Sequence, residues 1–485
     1  MTIEVLGRQN PWWTEISLLN DDPYLAEYDH APLKWDPPHF HTLKLDQDLI
    51  YILLGPRQVG KTTLFKLLIR SLLVERGVSP RAILYLNCEA LGPQKPQELA
   101  EALRNYLVWA RTFSHGRLYL FLDEATYLKD WERGIKILAD EGRLRGVMLI
   151  ATGSHAAGIK RGGERLPGRR GREAHLDLLL MPLHFRGFLL ARNPSLKSKL
   201  PSFSEWKNQA LFQAGQEIAL WADQIASPFT AYLRTGGFPR SIRDEVEHGR
   251  VKQDVYKLYR DAFVGDLARI GRRESLLREL VQWIINRREN PFDWSNAARE
   301  TQLGTHPTVR EYVEDAEAAF LWYVLYKAKS LGESLRAPRS SKRVYFTDPF
   351  AFHSLRSWVF GYDNAWHATE QFLADPNNLG YVVESIVAAH LRRKFGDKVF
   401  YWRNGQEIDF VIFHEEKRQA LIEVKYQTQI NPDNAKALAQ QGGGVLLTKD
   451  RLAYAPEKNV LAIPVHYFLA LMDGLSEMPE HNVGL

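Results

Sequence analysis

The chain has 485 residues, 45% apolar and 25% charged, the balance of a folded globular protein and too long for a single core; roughly three domains are expected. No apolar run is long enough to cross a bilayer and the single cysteine, Cys88, excludes a disulfide framework or a Cys-rich zinc site, so no membrane partner is expected. A net charge of +5 points only mildly to a polyanionic partner, and more through clusters at Lys160 to Arg172, at Arg272, Arg273, Arg287 and Arg288, and at Arg336 to Arg343.

Residues 1–44 are rich in proline and aromatic residues (Pro11-Trp12-Trp13, Trp35-Asp36-Pro37-Pro38) and read as an irregular lead-in that packs on something else. Met1 to Val5 lacks a basic stretch followed by an apolar one, so a cytoplasmic location is expected.

From Leu49 to Leu54 a short apolar run predicts a strand buried on both faces. It runs into Gly55-Pro56-Arg57-Gln58-Val59-Gly60-Lys61-Thr62-Thr63, and a helical pattern follows. The spacing is that of a phosphate-binding loop. Gly55 and Gly60 let the backbone curl so that its N–H groups, with those of Pro56 to Thr63 where present, face phosphate oxygens. The helix start adds its positive dipole end. Lys61 would reach the β- and γ-phosphates of ATP, and the Thr62 hydroxyl would ligate Mg²⁺.

A second apolar strand, Leu118 to Leu122, ends in Asp123-Glu124. Two carboxylates at the end of a buried strand need a reason, because burying charge is costly. Asp123 is expected to bind the Mg²⁺, and Glu124 to polarise the attacking water as general base. A third strand, Gly146 to Ala151, leads to Thr152-Gly153-Ser154; Ser154, or Thr152, stands where a polar residue could sense the γ-phosphate. The order predicts a parallel α/β sheet with nucleotide at the carboxyl ends of the strands.

These pieces, with Leu166-Pro167-Gly168-Arg169, Pro182-Leu183-His184-Phe185 and Gly236-Gly237-Phe238-Pro239, resemble a prokaryotic family of AAA+ P-loop ATPases that carries a C-terminal restriction-endonuclease-like domain. Relatives show Ala-Gly-Arg and Pro-Leu-Ser-Phe where this chain has Pro167-Gly168-Arg169 and His184. The resemblance covers most of residues 45 to 450. It implies an arginine finger at Arg169, or at Arg170, acting on the nucleotide of its own or a neighbouring subunit. It also implies a homo-oligomer, such as a hexameric ring, and a helical lid over residues 191–270 with Trp206, Trp221 and Tyr232 in its core and Arg240 as a candidate second sensor.

Residues 271–350 read as a winged helix. An apolar helical stripe from Leu276 to Ile285 breaks at Asn290-Pro291. A short helix opens near Ser295, and Gly304-Thr305-His306-Pro307 turns into a helix from Thr308 in the recognition position. Thr308, Arg310 and Arg299 would face DNA.

Residues 351–460 carry a second constellation, followed by an expected tail over 461–485. An amphipathic helix from Leu379 to Phe395 holds Glu384. Strands follow at 398–403, at 406–413 with Asp409, and at 420–426 with Glu423 and Lys425, which share one sheet face because they are two apart. The set resembles the PD-(D/E)xK nuclease site, with Gln406-Glu407-Ile408-Asp409 in place of Pro-Asp. The resemblance implies that Glu384, Asp409 and Glu423 bind Mg²⁺ or Mn²⁺ and that Lys425 orients water.

The expected fold is α/β, a P-loop AAA+ core (45–190) followed by the lid, the winged helix and the nuclease-like domain. The expected function is a Mg²⁺-dependent ATPase acting on DNA, branched DNA included, by binding, remodelling or cutting it. One alternative is a helicase or branch-migration motor whose nuclease-like domain only binds DNA. Another is a signalling or defence ATPase that acts through protein contacts.

Overall fold

The computed structural model describes residues 2–91, 95–156, 169–171, 176–201, 206–338, 340–414 and 417–472. The chain divides into two units between Met181 and Pro182.

The first unit is built on a five-stranded, all-parallel sheet: β1 (Ile50–Leu54), β2 (Ile83–Asn87), β3 (Leu118–Asp123), β4 (Val147–Gly153) and β5 (Asp177–Leu179), in the order β2-β3-β4-β1-β5. Its helices are α1 (Ile3–Gly7), α2 (Pro23–Asp29), α3 (Lys61–Arg70), α4 (Pro96–Arg111) and α5 (Trp131–Asp140). β1, β3 and β4 are buried along their whole length, as their unbroken apolar runs require. The order places β4 between the strand that feeds the glycine-rich loop and the strand that ends in acids.

The lead-in closes one edge of this sheet. Edge strands expose backbone groups that must be covered or paired. Asn10, fully buried, does so as a strand would: its Nδ2 donates to the Tyr85 carbonyl (2.9 Å) and its Oδ1 accepts from the Tyr85 N–H (2.7 Å). Trp13 Nε1 donates to the Ile83 carbonyl (2.8 Å), and its ring stacks on Tyr106.

The second unit opens with helices α6 (Phe185–Arg192), α7 (Asn208–Ile218), α8 (Ala222–Thr235), α9 (Pro239–His248) and α10 (Gln253–Arg269). Tyr232 is a core residue here, whereas Trp206 and Trp221 are half-buried. Then come α11 (Glu274–Arg287), α12 (Trp294–Glu300), α13 (His306–Ala318) and an antiparallel hairpin, β6 (Trp322–Tyr326) and β7 (Lys342–Phe346). α13 starts at His306, capped by the Thr305 side chain, two residues before the expected start. Ser295 lies inside α12, whose N-cap is Asp293.

After α14 (Pro349–Phe360) and α15 (Ala365–Ala374), α16 (Pro376–Phe395) leads into β8 (Val399–Asn404), β9 (Gln406–His414) and β10 (Lys417–Lys425). α17 (Lys436–Gln440), β11 (Gly444–Thr448), β12 (Ala453–Ala455), β13 (Val460–Pro464) and α18 (Val465–Met472) complete the described chain. The sheet order is β12-β13-β11-β10-β9-β8; β8, β9 and β10 are antiparallel neighbours, and β10, β11 and β13 are parallel. Two expectations change. α16 is buried on every side from Tyr381 to Leu391, not along one stripe. The expected tail from 461 is in its first twelve residues β13 and α18, all buried; residues 473–485 lie outside the described residues. No described helix is long and apolar enough to cross a membrane.

Replacing Asn10 by Ala strands a buried N–H and carbonyl on β2. We expect a loss on the order of 2 kcal/mol in the stability of the first unit, read from urea unfolding. An unchanged unfolding midpoint would show that the lead-in does not seal the edge.

Candidate functional site

The loop after β1 is shaped by two glycines. A Cβ on Gly55 would overlap the carbonyl oxygen of Leu180, where the chain leaves β5. Gly60, the N-cap of α3, has φ +104°, which favours glycine. Pro56, Val59, Thr62 and Thr63 complete the loop and the first turn of α3, and Gln58 also takes a positive φ of 62°.

Lys61 is 4% exposed. Its ammonium donates to the carbonyls of Gly55 (2.9 Å) and Pro56 (3.0 Å) and pairs with Glu124 Oε1 at 3.2 Å. Each of these bonds is one that a phosphate oxygen can replace.

Asp123, at the end of β3, is 2% exposed and needs donors. Thr62 Oγ1 (2.6 Å) and the Tyr85 hydroxyl (3.0 Å) donate to Oδ2, and Thr152 Oγ1 (2.6 Å) donates to Oδ1. Tyr85 is the site residue that the sequence reading missed. It comes from β2, a strand not anticipated there, and nothing in its local sequence sets it apart from a core tyrosine. Burial, then Asp123, drive its phenol far up, so it is a neutral donor.

Glu124 sits in the left-handed region (φ 50°), a strained conformation of the kind stored at functional sites. Its N–H donates to Thr152 Oγ1 at 2.9 Å. Burial pushes its carboxyl up; the Lys61 ammonium, the Arg57 guanidinium and hydrogen bonds with Lys61 and Ser154 outweigh burial and hold it below the usual carboxylate range. The carboxylate is therefore ionised, and its Oε2 is buried with no hydrogen-bond partner in the described structure. Ser154, fully buried, thus touches the expected base, while Thr152 joins that base to the expected metal ligand. The Thr62–Asp123 contact brings together the two oxygens that Mg²⁺ would need, and the donor chemistry fits that ion.

Of the basic cluster at 160–172, Lys160, Arg161, Arg165 and Arg172 lie outside the described residues, as does Leu166-Pro167-Gly168. Arg169 pairs with Asp140, at the end of α5 (2.5 Å), and Arg170 bonds the Ile50 carbonyl (3.0 Å) and Asp177 (2.9 Å). Ile50 begins β1, and the phosphate loop follows the other end of that strand. At about 3.3 Å per residue the two ends are roughly 15 Å apart. The backbone at Arg169-Arg170 therefore lies by the start of β1, about a strand length from the phosphate loop of its own chain.

The acids of the second unit come to one neighbourhood but not to one metal. Where β9 and β10 diverge, Asp409 Oδ2 accepts from the Val424 N–H (2.9 Å) and Glu423 Oε2 from the Asp409 N–H (3.3 Å). Lys425 Nζ pairs with Glu423 Oε1 at 2.7 Å. Glu384, from α16, accepts from the Tyr345 hydroxyl at 2.5 Å. Among the described residues no three His, Cys, Asp or Glu side chains are grouped to hold an ion. Burial and the nearby Asp409 push Glu384 up to about 8 and Glu423 up to about 7, despite Arg343 and Lys425 respectively. Arg343 was read as part of a basic surface stretch; it is 2% exposed and lies among these acids.

Residues 47–189 match an AAA domain family, residues 227–360 a domain of unknown function (DUF8612) and residues 379–468 another (DUF4143). No curated protein matches the chain. Solved structures similar to it include the Walker-type ATPase PABY2304 of Pyrococcus abyssi (17% identity, 63% of this chain and 91% of that one, TM-score 0.38). Others are the Aeropyrum pernix ORC1 protein in complex with DNA (15%, 64% and 86%, TM-score 0.30) and Thermotoga maritima RuvB (18%, 75% and 97%, TM-score 0.27). Likenesses at these scores carry no functional weight. The matched domain and the loop geometry make the first unit a P-loop ATPase of AAA+ type.

Gly55→Ala should abolish tight ATP binding, because the new methyl group collides with backbone. Gly116→Ala, whose Cβ would find its nearest neighbour 3.7 Å away, should bind as wild type does. Equal nucleotide affinity of both variants, by fluorescence titration, would show that the loop tolerates a different path.

Proposed function

We propose that this chain is a Mg²⁺-dependent ATPase that works on DNA and that its C-terminal unit holds DNA without cutting it. The observation that carries the ATPase part is the buried Lys61–Glu124 pair beside the Thr62–Asp123–Thr152 network. Lys61 exchanges two loop carbonyls and Glu124 for phosphate oxygens, and so frees Glu124. The Glu124 carboxylate accepts a proton from the attacking water as that oxygen bonds the γ-phosphorus and the bond to the leaving oxygen breaks. Ser154 reports on that carboxylate. Mg²⁺, held by Thr62 and Asp123, would neutralise phosphate charge.

Arg169 acts on a neighbouring subunit in this reading, since the phosphate loop of its own chain is a strand length away. That requires a homo-oligomer and exchange of its Asp140 pair for phosphate.

The DNA part rests on topology and charge. The order α11, α12, α13, then the β6–β7 hairpin supports a winged helix. Along α13 the one cation, Arg310, stands against Glu311, Glu314, Asp315 and Glu317; Arg310 pairs with Glu314 and Glu311 with Arg272, so this helix offers phosphate no net positive charge. Thr308 bonds Thr305 and Arg299 bonds Asn296. Exposed cations also lie between the hairpin strands, at Arg336 and at Lys329, which pairs with Glu333, and on β8 at Arg403, which pairs with Glu407. Phosphate contact through the wing is therefore favoured over base reading by α13. The order α16–β8–β9–β10–α17–β11 supports a nuclease-like core. Because backbone N–H groups, Lys425, Tyr345 and Arg343 engage its acids, we favour holding over cutting.

Glu124→Gln should lower ATP turnover on the order of 10²–10⁴-fold while nucleotide still binds. Lys61→Ala should lose binding as well. DNA should stimulate the wild-type ATPase, and DNA should stay intact with Mg²⁺ or Mn²⁺. ATPase indifferent to linear and branched DNA would sink the DNA part. Cleavage that Asp409→Ala abolishes would sink the holding part.

A further inference from the structure

We propose that Arg343 is the resident cation of the acidic cluster in the second unit. Its guanidinium takes the place of a divalent metal, and the cluster is a metal-independent anchor for the β6–β7 hairpin. The inference deepens the holding reading and rests on the nuclease-like core only for the comparison with a metal site.

Acids from two different elements converge on this one group. Arg343 Nη1 lies 3.4 Å from Asp409 Oδ1 (β9) and 3.5 Å from Glu384 Oε1 (α16), and Nη2 pairs with Glu407 (β9). Drawing oxygens from separate elements onto one centre is what a hard divalent ion does. A guanidinium can do it too, because its planar fork offers five donors and never loses its charge.

The cation is built in. Arg343 is part of β7, where Lys342 to Phe346 are all buried. Period two puts Arg343 and Tyr345 on one face, and both reach the acids: Tyr345 donates to Glu384 and also accepts from Arg343 Nη1 at 3.3 Å. The guanidinium lies 4.9 Å from the centre of the Tyr401 ring, a cation–π contact. Withdrawing it means pulling a strand out of the core. The other acid oxygens are also engaged: Asp409 Oδ2 by Val424, and Glu423 by Lys425 and the Asp409 N–H. A metal would have to break these bonds and share the space with a fixed positive charge.

Removing one partner of a buried ion cluster leaves the others uncompensated. Arg343→Met keeps the apolar stem and removes the charge. The experiment is Mn²⁺ binding to the nucleotide-free full chain, by electron paramagnetic resonance of free Mn²⁺, with melting temperature alongside. Any Mn²⁺ held near Asp123 is common to all variants and cancels. Wild type and Asp409→Asn should bind Mn²⁺ equally, and Mn²⁺ or EDTA should shift their two melting temperatures by the same amount. Arg343→Met should melt lower, gain Mn²⁺ affinity on the order of tenfold or more, and regain stability with the metal. Adding Asp409→Asn should erase that gain.

Wild-type Mn²⁺ binding that Asp409→Asn removes would overturn the proposal. So would a folded Arg343→Met variant with no added Mn²⁺ affinity. Should Arg343→Met not fold, the comparison of wild type with Asp409→Asn still decides. DNA binding is measured separately, so failure of the holding reading leaves this result standing.

Discussion

Asp123 is a charge that the sheet cannot leave alone. It is buried at the carboxyl end of a central strand, where an unpaired carboxylate would cost several kcal/mol. Its hydrogen-bond donors come from three elements: Thr62 from the first turn of α3, Tyr85 from β2 and Thr152 from β4. Satisfying one side chain therefore fixes the positions of its flanking strands and of the helix that follows the phosphate loop. Thr152 then passes the constraint on, because the same hydroxyl accepts from the Glu124 N–H and holds that residue in its left-handed turn. The proposed base is thus positioned through the proposed metal ligand.

The parts legible in the sequence are those whose chemistry is local. Gly55 to Thr63 and Asp123-Glu124 are contiguous, and each spacing is set by a turn or a strand end. Nothing local marks Tyr85, 38 residues away from Asp123, as anything but core. Arg343 is a stronger case, since composition placed it in a basic stretch while the fold places it 66 residues from Asp409 in sequence and against it in space. For Arg169 the family pattern named the residue and left its subunit open, and only the partners Asp140 and Ile50, the latter through Arg170, show which end of the sheet it occupies. Glu384, Asp409 and Glu423 lie in one neighbourhood of the structure. Their backbone partners could not be foreseen, because they depend on where β9 and β10 part.

Both units place a buried cation against carboxylates, and the difference between the two cations is instructive. Lys61 ends a flexible four-carbon stem and is held by two neutral carbonyls and one carboxylate. Phosphate oxygens offer an ammonium stronger partners than carbonyls do, so the arrangement can exchange. Arg343 is rooted in a buried strand, faces three acidic side chains and lies beside an aromatic ring. Both of its Nη groups are already taken up by acidic side chains. The first arrangement is suited to turnover and the second to permanence.

That contrast also bears on why the acids of the second unit persist in a site without a metal. Two of them, Asp409 and Glu423, replace ladder hydrogen bonds at a strand divergence, and three, Asp409 with Glu384 and Glu407, reach the hairpin through Arg343. Converting any one to an apolar residue would strand a backbone N–H or a buried guanidinium. An acidic cluster of this kind can therefore keep its residues on structural grounds alone, whether or not it ever held a catalytic ion. The presence of all four ionisable positions, read from sequence as favouring chemistry, is equally the signature of a buried network whose members depend on one another.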